Sequence, residues 1–146
     1  MAPTRTLRQL PMRLTAGAYI VNTGVEKWQA DEQTAAELHG FAATAYPFVK
    51  KMDARTFLKV LAGTEIALGA ALVLPVVPAL VAGMGLTAFS AGLLGLYVRV
   101  PGMRQRGSLR PTQQGVPLAK DVWLLGIGTG LVVDDLTSRD VVPPEK

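Results

Sequence analysis

"VLAGTEIALGAALVLPVVPALVAGMGLTAFSAGLLGLYV" occupies residues 60–98, and its reading decides the fold. Glu65 is the single charge in it, and from Ile66 to Val98 there is none. A continuous helix over 66–98 would run ~50 Å, against a hydrocarbon core of ~30 Å. One straight span is too long. Pro75 and Pro78 donate no backbone hydrogen bond and interrupt the ladder near its middle. The stretch is therefore predicted to form two helices, at about 56–74 and 79–98, folded back at a tight "PVVP" turn. One kinked helix is the alternative.

On the N-terminal side, a first span is predicted at about 10–28. Arg13 stands near its start and Asn22 and Thr23 lie inside it, so its apolar core falls short of the ~20 residues a lone span prefers. Ala16, Gly17 and Ala18 would let a neighbouring helix approach closely, and Trp28 suits an interfacial anchor. The arginines ahead of this run resemble a signal peptide, but no clear small-residue cleavage site follows, so the helix is expected to stay in the protein. Residues 29–57 are too polar to span. Leu38, Phe41, Ala42, Ala45, Tyr46 and Val49 recur there at helical spacing, which predicts a short amphipathic helix on the membrane or capping the bundle, bent or ended at Tyr46-Pro47. The arginine-, proline- and glycine-rich segment 99–117 reads as a loop, and a fourth span follows at about 118–133 with a flexible tail over 137–146. The expected fold is all-α: an integral-membrane four-helix bundle with a short amphipathic helix between helices one and two, forming a single domain over 1–146.

Composition points the same way. A chain of 146 residues has room for one domain, and its charged fraction is only 18%. Mean hydropathy is +0.29, and the charges gather between apolar runs, as in a multi-pass membrane protein. The net charge of +4 sits in short loops beside those runs, where anionic lipid headgroups and positive-inside bias explain it better than nucleic acid does. Counting basic residues favours cytoplasmic loops and external termini, although Arg5 and Arg8 pull the other way. Without cysteine the chain has no disulfide, thiolate nucleophile or Cys-based metal site, and with His39 alone it has no histidine cluster. "GIGTGL" at 126–131 lacks the preceding strand and following lysine of a phosphate-binding loop and reads as close helix packing.

An ionisable residue inside a span costs at least ~2.5–3.5 kcal/mol, so each one needs a reason. Glu65 reads either as a proton carrier or headgroup partner, or as interhelical glue bonded to Thr, Asn, Tyr or Arg of a neighbour. Asp121 opens the fourth helix, where it complements the helix dipole and can pair with Arg99 at the end of the third. Glu65, Lys27, Asp121, Arg99 and Asn22 form the candidate polar site; no catalytic residue or metal ligand is assigned. Arg13, Glu26 and Lys27 read as interfacial snorkellers, and His39 as a surface residue of the amphipathic helix.

"RLTAGAYIVNTGVEKW", "AGTEIALGAALVL" and "LAKDVWLLGIGTGL" resemble the first, second and last helices of the DoxX family of small four-helix bacterial membrane proteins. The resemblance covers about residues 12–136, and the composition is similar to actinobacterial chains. It implies membrane redox chemistry on a partner: one branch of the family is a subunit of a thiosulfate:quinone oxidoreductase, and another partners superoxide dismutase and a sulfurtransferase. Lys27, Glu65 and Asp121 carry the family pattern, while the lack of cysteine argues against sulfur chemistry by this chain. The expected function is an accessory subunit of a redox or respiratory assembly in the bacterial plasma membrane. It would hold a quinone or lipid, have no intrinsic cofactor, and partner the lipid bilayer and other membrane or redox subunits. A small proton-linked transporter working past Glu65 is the alternative, and a self-contained quinone-linked enzyme is disfavoured by the poor inventory of redox-active side chains.

Overall fold

The structure, a computed structural model, describes residues 3–139. Among these the chain is all-helical, and the one β pairing is an isolated bridge between Arg104 and Pro111. In chain order the elements are α1 (Pro3–Gln29), α2 (Glu32–Ala45), a 3-10 turn (Pro47–Lys51), α3 (Ala54–Val73), α4 (Ala79–Arg99), α5 (Val116–Ala119) and α6 (Val122–Arg139). Asp31 and Asp53 start α2 and α3 by accepting the amides of Thr34 (2.8 Å) and Thr56 (3.0 Å). These are N-cap bonds that satisfy otherwise orphaned donors. The helix over 54–73 ends before Pro75, which cannot continue the ladder, and α4 begins directly after Pro78.

Three segments are long and apolar enough to cross a membrane: Ala54–Val73, Ala79–Arg99 and Val116–Ser138. The helix expected as the first span is not among them. α1 runs 27 residues and continues through Pro11 well N-terminal of Leu10, so it carries Arg8 and Arg13 as well as Glu26 and Lys27. The expected fourth helix comes in two pieces. α5 is one turn, and α6 resumes after Lys120-Asp121 and runs beyond Val133. The extension has partners. Asp134 meets Arg8 at 2.7 Å and Gln9 at 2.6 Å, and the hydroxyls of Thr137 and Ser138 donate back to the carbonyls of Val133 and Asp134. The tail expected over 137–146 is thus helical through Arg139, and 140–146 lie outside the described residues.

The helices do not pair in sequence order. α1 packs antiparallel along α3, setting Arg13 beside Leu72, Gly17 beside Gly69, Gly24 beside Ala62 and Trp28 beside Lys59; α4 packs in the same way along α6. Glycines set both close approaches. A Cβ at Gly69 would lie 2.7 Å from the Gly17 carbonyl, and one at Gly83 would lie 2.8 Å from that of Gly128. The backbones touch at distances that only a hydrogen at Cα permits. The two pairs meet in one core, where Ile20, Leu72, Leu86 and Leu131 are fully buried. α3 and α4, although adjacent in sequence, otherwise pack little against each other and diverge from the "PVVP" turn. α2 and its 3-10 turn cover the wide end of that divergence by packing on α3 and α4.

Arg13 corrects another expectation. It is buried, not snorkelling, and its guanidinium donates to the carbonyls of Leu72 (2.7 Å), Ala71, Leu74 and Val77 (each 2.9 Å). The last turn of α3 leaves carbonyls without intrahelical donors, and a planar five-donor cation suits that negative end of the helix. One side chain thus clamps the end of α3 and the proline turn behind it.

Candidate functional site

The space between α3 and α4 is a cavity of about 580 Å³, within the ordinary size range of small-molecule sites. α1, α2 and the α5–α6 junction complete its wall. All four phenylalanines of the chain and two of its three tyrosines line it, so the surface is mainly apolar and aromatic. Its polar groups are few: Thr23, Lys27, Thr64, Glu65 and Asp121, with Tyr19 and Tyr46.

Thr23 and Lys27 lie four residues apart on α1, which puts both on one face. That face meets Glu65 because Gly24 lets α1 approach α3. A Cβ there would lie 3.0 Å from both the Ala62 carbonyl and the Glu65 Cβ. Lys27 Nζ stands 3.0 Å from Glu65 Oε2, and the Thr23 hydroxyl donates to the same oxygen at 3.1 Å. The Glu65 side chain is 5% exposed and that of Lys27 24%. Glu65 therefore holds α1 and α3 in register and presents a charge pair at the cavity wall.

Asp121 stands immediately before α6, its carbonyl accepting the Leu125 amide at 3.1 Å. Its carboxylate lines the cavity with no hydrogen bond or ion pair among the described residues, and Glu65 and Lys27 are its charged neighbours. The expected pairing with Arg99 is not formed. The Arg99 guanidinium sits 5.2 Å from the ring centroid of Tyr46 and does not line the cavity. Asn22 also falls outside it. One residue before Thr23 along a helix is a rotation of about 100°, and Asn22 faces outward, donating to Glu26 at 2.8 Å. Of the five residues read as a polar site, the fold brings Lys27, Glu65 and Asp121 together and leaves Arg99 and Asn22 apart.

Among the lining residues that were not singled out as a site, Thr23 and Tyr46 bond across to another helix. Thr23 counted only as a polar interruption of a span, although its spacing from Lys27 is a legible signal. Tyr46 was read as a helix end. It does end α2, and its hydroxyl also crosses to α4 and donates to the Gly92 carbonyl at 2.7 Å. Gly95 makes the crossing feasible, since a Cβ there would overlap the Tyr46 hydroxyl. His39 is half-buried: its Nε2 donates to the Val49 carbonyl at 3.0 Å, and its ring meets Phe57 edge-on, tying α2 to its following turn and to α3. Among the described residues no three His, Cys, Asp or Glu side chains gather closely enough to hold a metal ion.

Chemically, the site offers an ammonium, two carboxylates and a hydroxyl at one part of a large aromatic cavity. It can hydrogen-bond or pair charge with a polar head while burying an apolar body. Comparison with family models, curated proteins and solved structures finds no match to this chain, so the resemblance to the DoxX family gains no support from them.

Proposed function

We propose that this chain is an integral-membrane binding subunit of the bacterial plasma membrane that holds an amphiphile, a quinone or a lipid, between α3 and α4. The polar head lies at Lys27 and Glu65 and the apolar body against the phenylalanines. The observation that carries the reading is the cavity itself: an aromatic chamber of about 580 Å³ with a buried ion pair in its wall.

The membrane setting is supported by large apolar side chains on the outside and by polar groups buried within. Val76, Val81, Met84, Trp123 and Val133 face outward, while Gln9, Arg13, Glu65 and Asp135 are buried. The packing of α1 antiparallel along α3 supports the reading that α1 crosses beside α3, in a four-helix membrane bundle capped by α2. A redox or respiratory assembly is the setting in which a quinone-holding accessory subunit would serve, a step that rests on the family resemblance. The proton-linked transporter gains nothing from the geometry, because the Glu65 carboxylate is engaged by two partners on α1.

The test is analysis of amphiphiles that co-purify with the full chain in detergent, beside Gly92→Phe. Gly92 lines the cavity, and a Cβ there meets open space. The expected result is a near-stoichiometric quinone or lipid on the wild type and its loss from a variant of unchanged helicity. A wild-type protein that carries no amphiphile and takes up neither added short-chain quinone nor phospholipid would sink the proposal.

A further inference from the structure

The cavity carries more information about its occupant than size and apolarity. Its lining holds two carboxylates, Glu65 and Asp121, against one ammonium, Lys27. Lys27 is bonded to Glu65 at 3.0 Å and is a charged neighbour of Asp121, whose carboxylate makes no hydrogen bond or ion pair among the described residues, so negative side chains outnumber positive ones on a mainly apolar wall. A carboxylate partly withdrawn from water is unfavourable until a cation or donor meets it. The remaining lining is aliphatic and aromatic, with Phe41, Tyr46, Phe48, Phe57 and Phe89 among the surrounding side chains. Aromatic faces carry negative partial charge and attract cations, more strongly where water is excluded. Arg99, the nearby cation on Tyr46, stays outside the lining and does not neutralise Asp121.

From the juxtaposition of two carboxylates against one ammonium, one of those carboxylates without a hydrogen bond among the described residues, and aromatic rings in an apolar wall, we propose that the cavity selects a lipophilic cation: an amphiphile whose head is an amine, an ammonium or a comparable onium group. The inference rests on the amphiphile-binding reading and narrows it. A neutral quinone would bring no charge to Asp121, and a phosphate or carboxylate head would meet two carboxylates against one ammonium. The cationic head sits beside Asp121, and the ring faces complete its shell.

The experiment uses the full chain in a neutral detergent and three probes by calorimetry: tetraphenylphosphonium, the matched anion tetraphenylborate, and a short-chain neutral quinone. Wild-type protein is expected to bind the phosphonium at least tenfold more tightly than the borate. Asp121→Asn is expected to weaken phosphonium binding about tenfold and to narrow its preference over the borate, and Asp121→Glu to restore most of the loss, with helicity checked for each variant. Equal affinity for cation and anion, or phosphonium binding indifferent to Asp121→Asn, overturns the inference. Quinone binding without phosphonium binding also overturns it and leaves the amphiphile cavity standing. A folded protein that binds none of the three removes the inference and the cavity reading together.

Discussion

Replacing Lys27 with methionine isolates the contribution of the ion pair. The substitution keeps most of the side-chain volume but removes the ammonium 3.0 Å from Glu65, whose side chain is 5% exposed. Losing one partner of a buried pair typically costs ~3–5 kcal/mol, because the other charge stays behind uncompensated. Here the Thr23 hydroxyl still donates at 3.1 Å and Lys27 itself is 24% exposed, so part of the pair is screened by solvent. The lower end, about 3 kcal/mol, is the expected loss. For a chain of this length a kcal/mol moves the melting temperature by about 2–4 °C, which makes the shift roughly 6–12 °C. Glu65→Gln should cost less, about 1 kcal/mol, since Lys27 can turn to water and keeps the Thr23 carbonyl within 3.4 Å. The double variant Lys27→Met/Glu65→Leu removes both charges at similar volume and should return to within about 1 kcal/mol of wild type. The assay is thermal unfolding of the detergent-solubilised protein followed by helicity. A Lys27→Met protein as stable as wild type, or a double variant that merely sums the two single losses, would show that the pair is not a buried, coupled unit.

Arg13→Leu leaves the carbonyls at the end of α3 and in the proline turn without their donor; a loss of about 2–4 kcal/mol is expected in the same unfolding assay. Gly69→Ala forces a methyl against the Gly17 carbonyl and the Val21 amide, at 2.7 and 2.8 Å, and should destabilise by about 1–3 kcal/mol. Gly126→Ala, with nothing within 4 Å of its Cβ, should be neutral or stabilise by up to about 1 kcal/mol through helix propensity. The bond from the Thr34 amide holds the Asp31 carboxyl below its ordinary range, and the Thr56 hydroxyl and amide do the same for Asp53. Because the folded values are the lower ones, the caps contribute fully above the ordinary aspartate value of ~3.9, and the contribution is lost as pH falls through the depressed folded values. Hydrogen exchange in the first turns of α2 and α3, corrected for intrinsic rates, should rise over that acid window. Asp53→Asn keeps a capping oxygen and should flatten the dependence at α3.

Some of this organisation is legible in residues and some is not. The break at Pro75 and Pro78 follows from missing donors, and the significance of Glu65 from the scarcity of charge around it; both are local properties. The i, i+4 spacing of Thr23 and Lys27 also shows which face of α1 carries polar groups. The cavity is different, because it arises from α3 and α4 parting while each packs on a helix distant in sequence. Nothing in "PVVP" specifies whether its two arms close on each other. Arg13 was misread for a related reason. Its partners are backbone carbonyls 58 or more residues away, and carbonyls leave no mark in a sequence. Arg99 was grouped with the site because helix three ends where helix four begins, but its guanidinium lies over the Tyr46 ring, and Asn22 is turned outward by its place on the helix.

The pairing of α1 with α3 bears on biogenesis. α1 is not among the segments apolar enough to cross a membrane, and two of its charged groups, Arg13 and Lys27, find their partners on α3. In the proposed spanning arrangement, α1 emerges from the ribosome first but becomes lipid-compatible only once α3 has been made. Its insertion is then a joint event of two helices, with α2 synthesised in the interval, whereas α4 and the segment over Val116–Ser138 are each apolar enough to enter without such a partner. In that arrangement the proline turn between α3 and α4 separates a helix pair that must enter together from two segments that can enter one at a time.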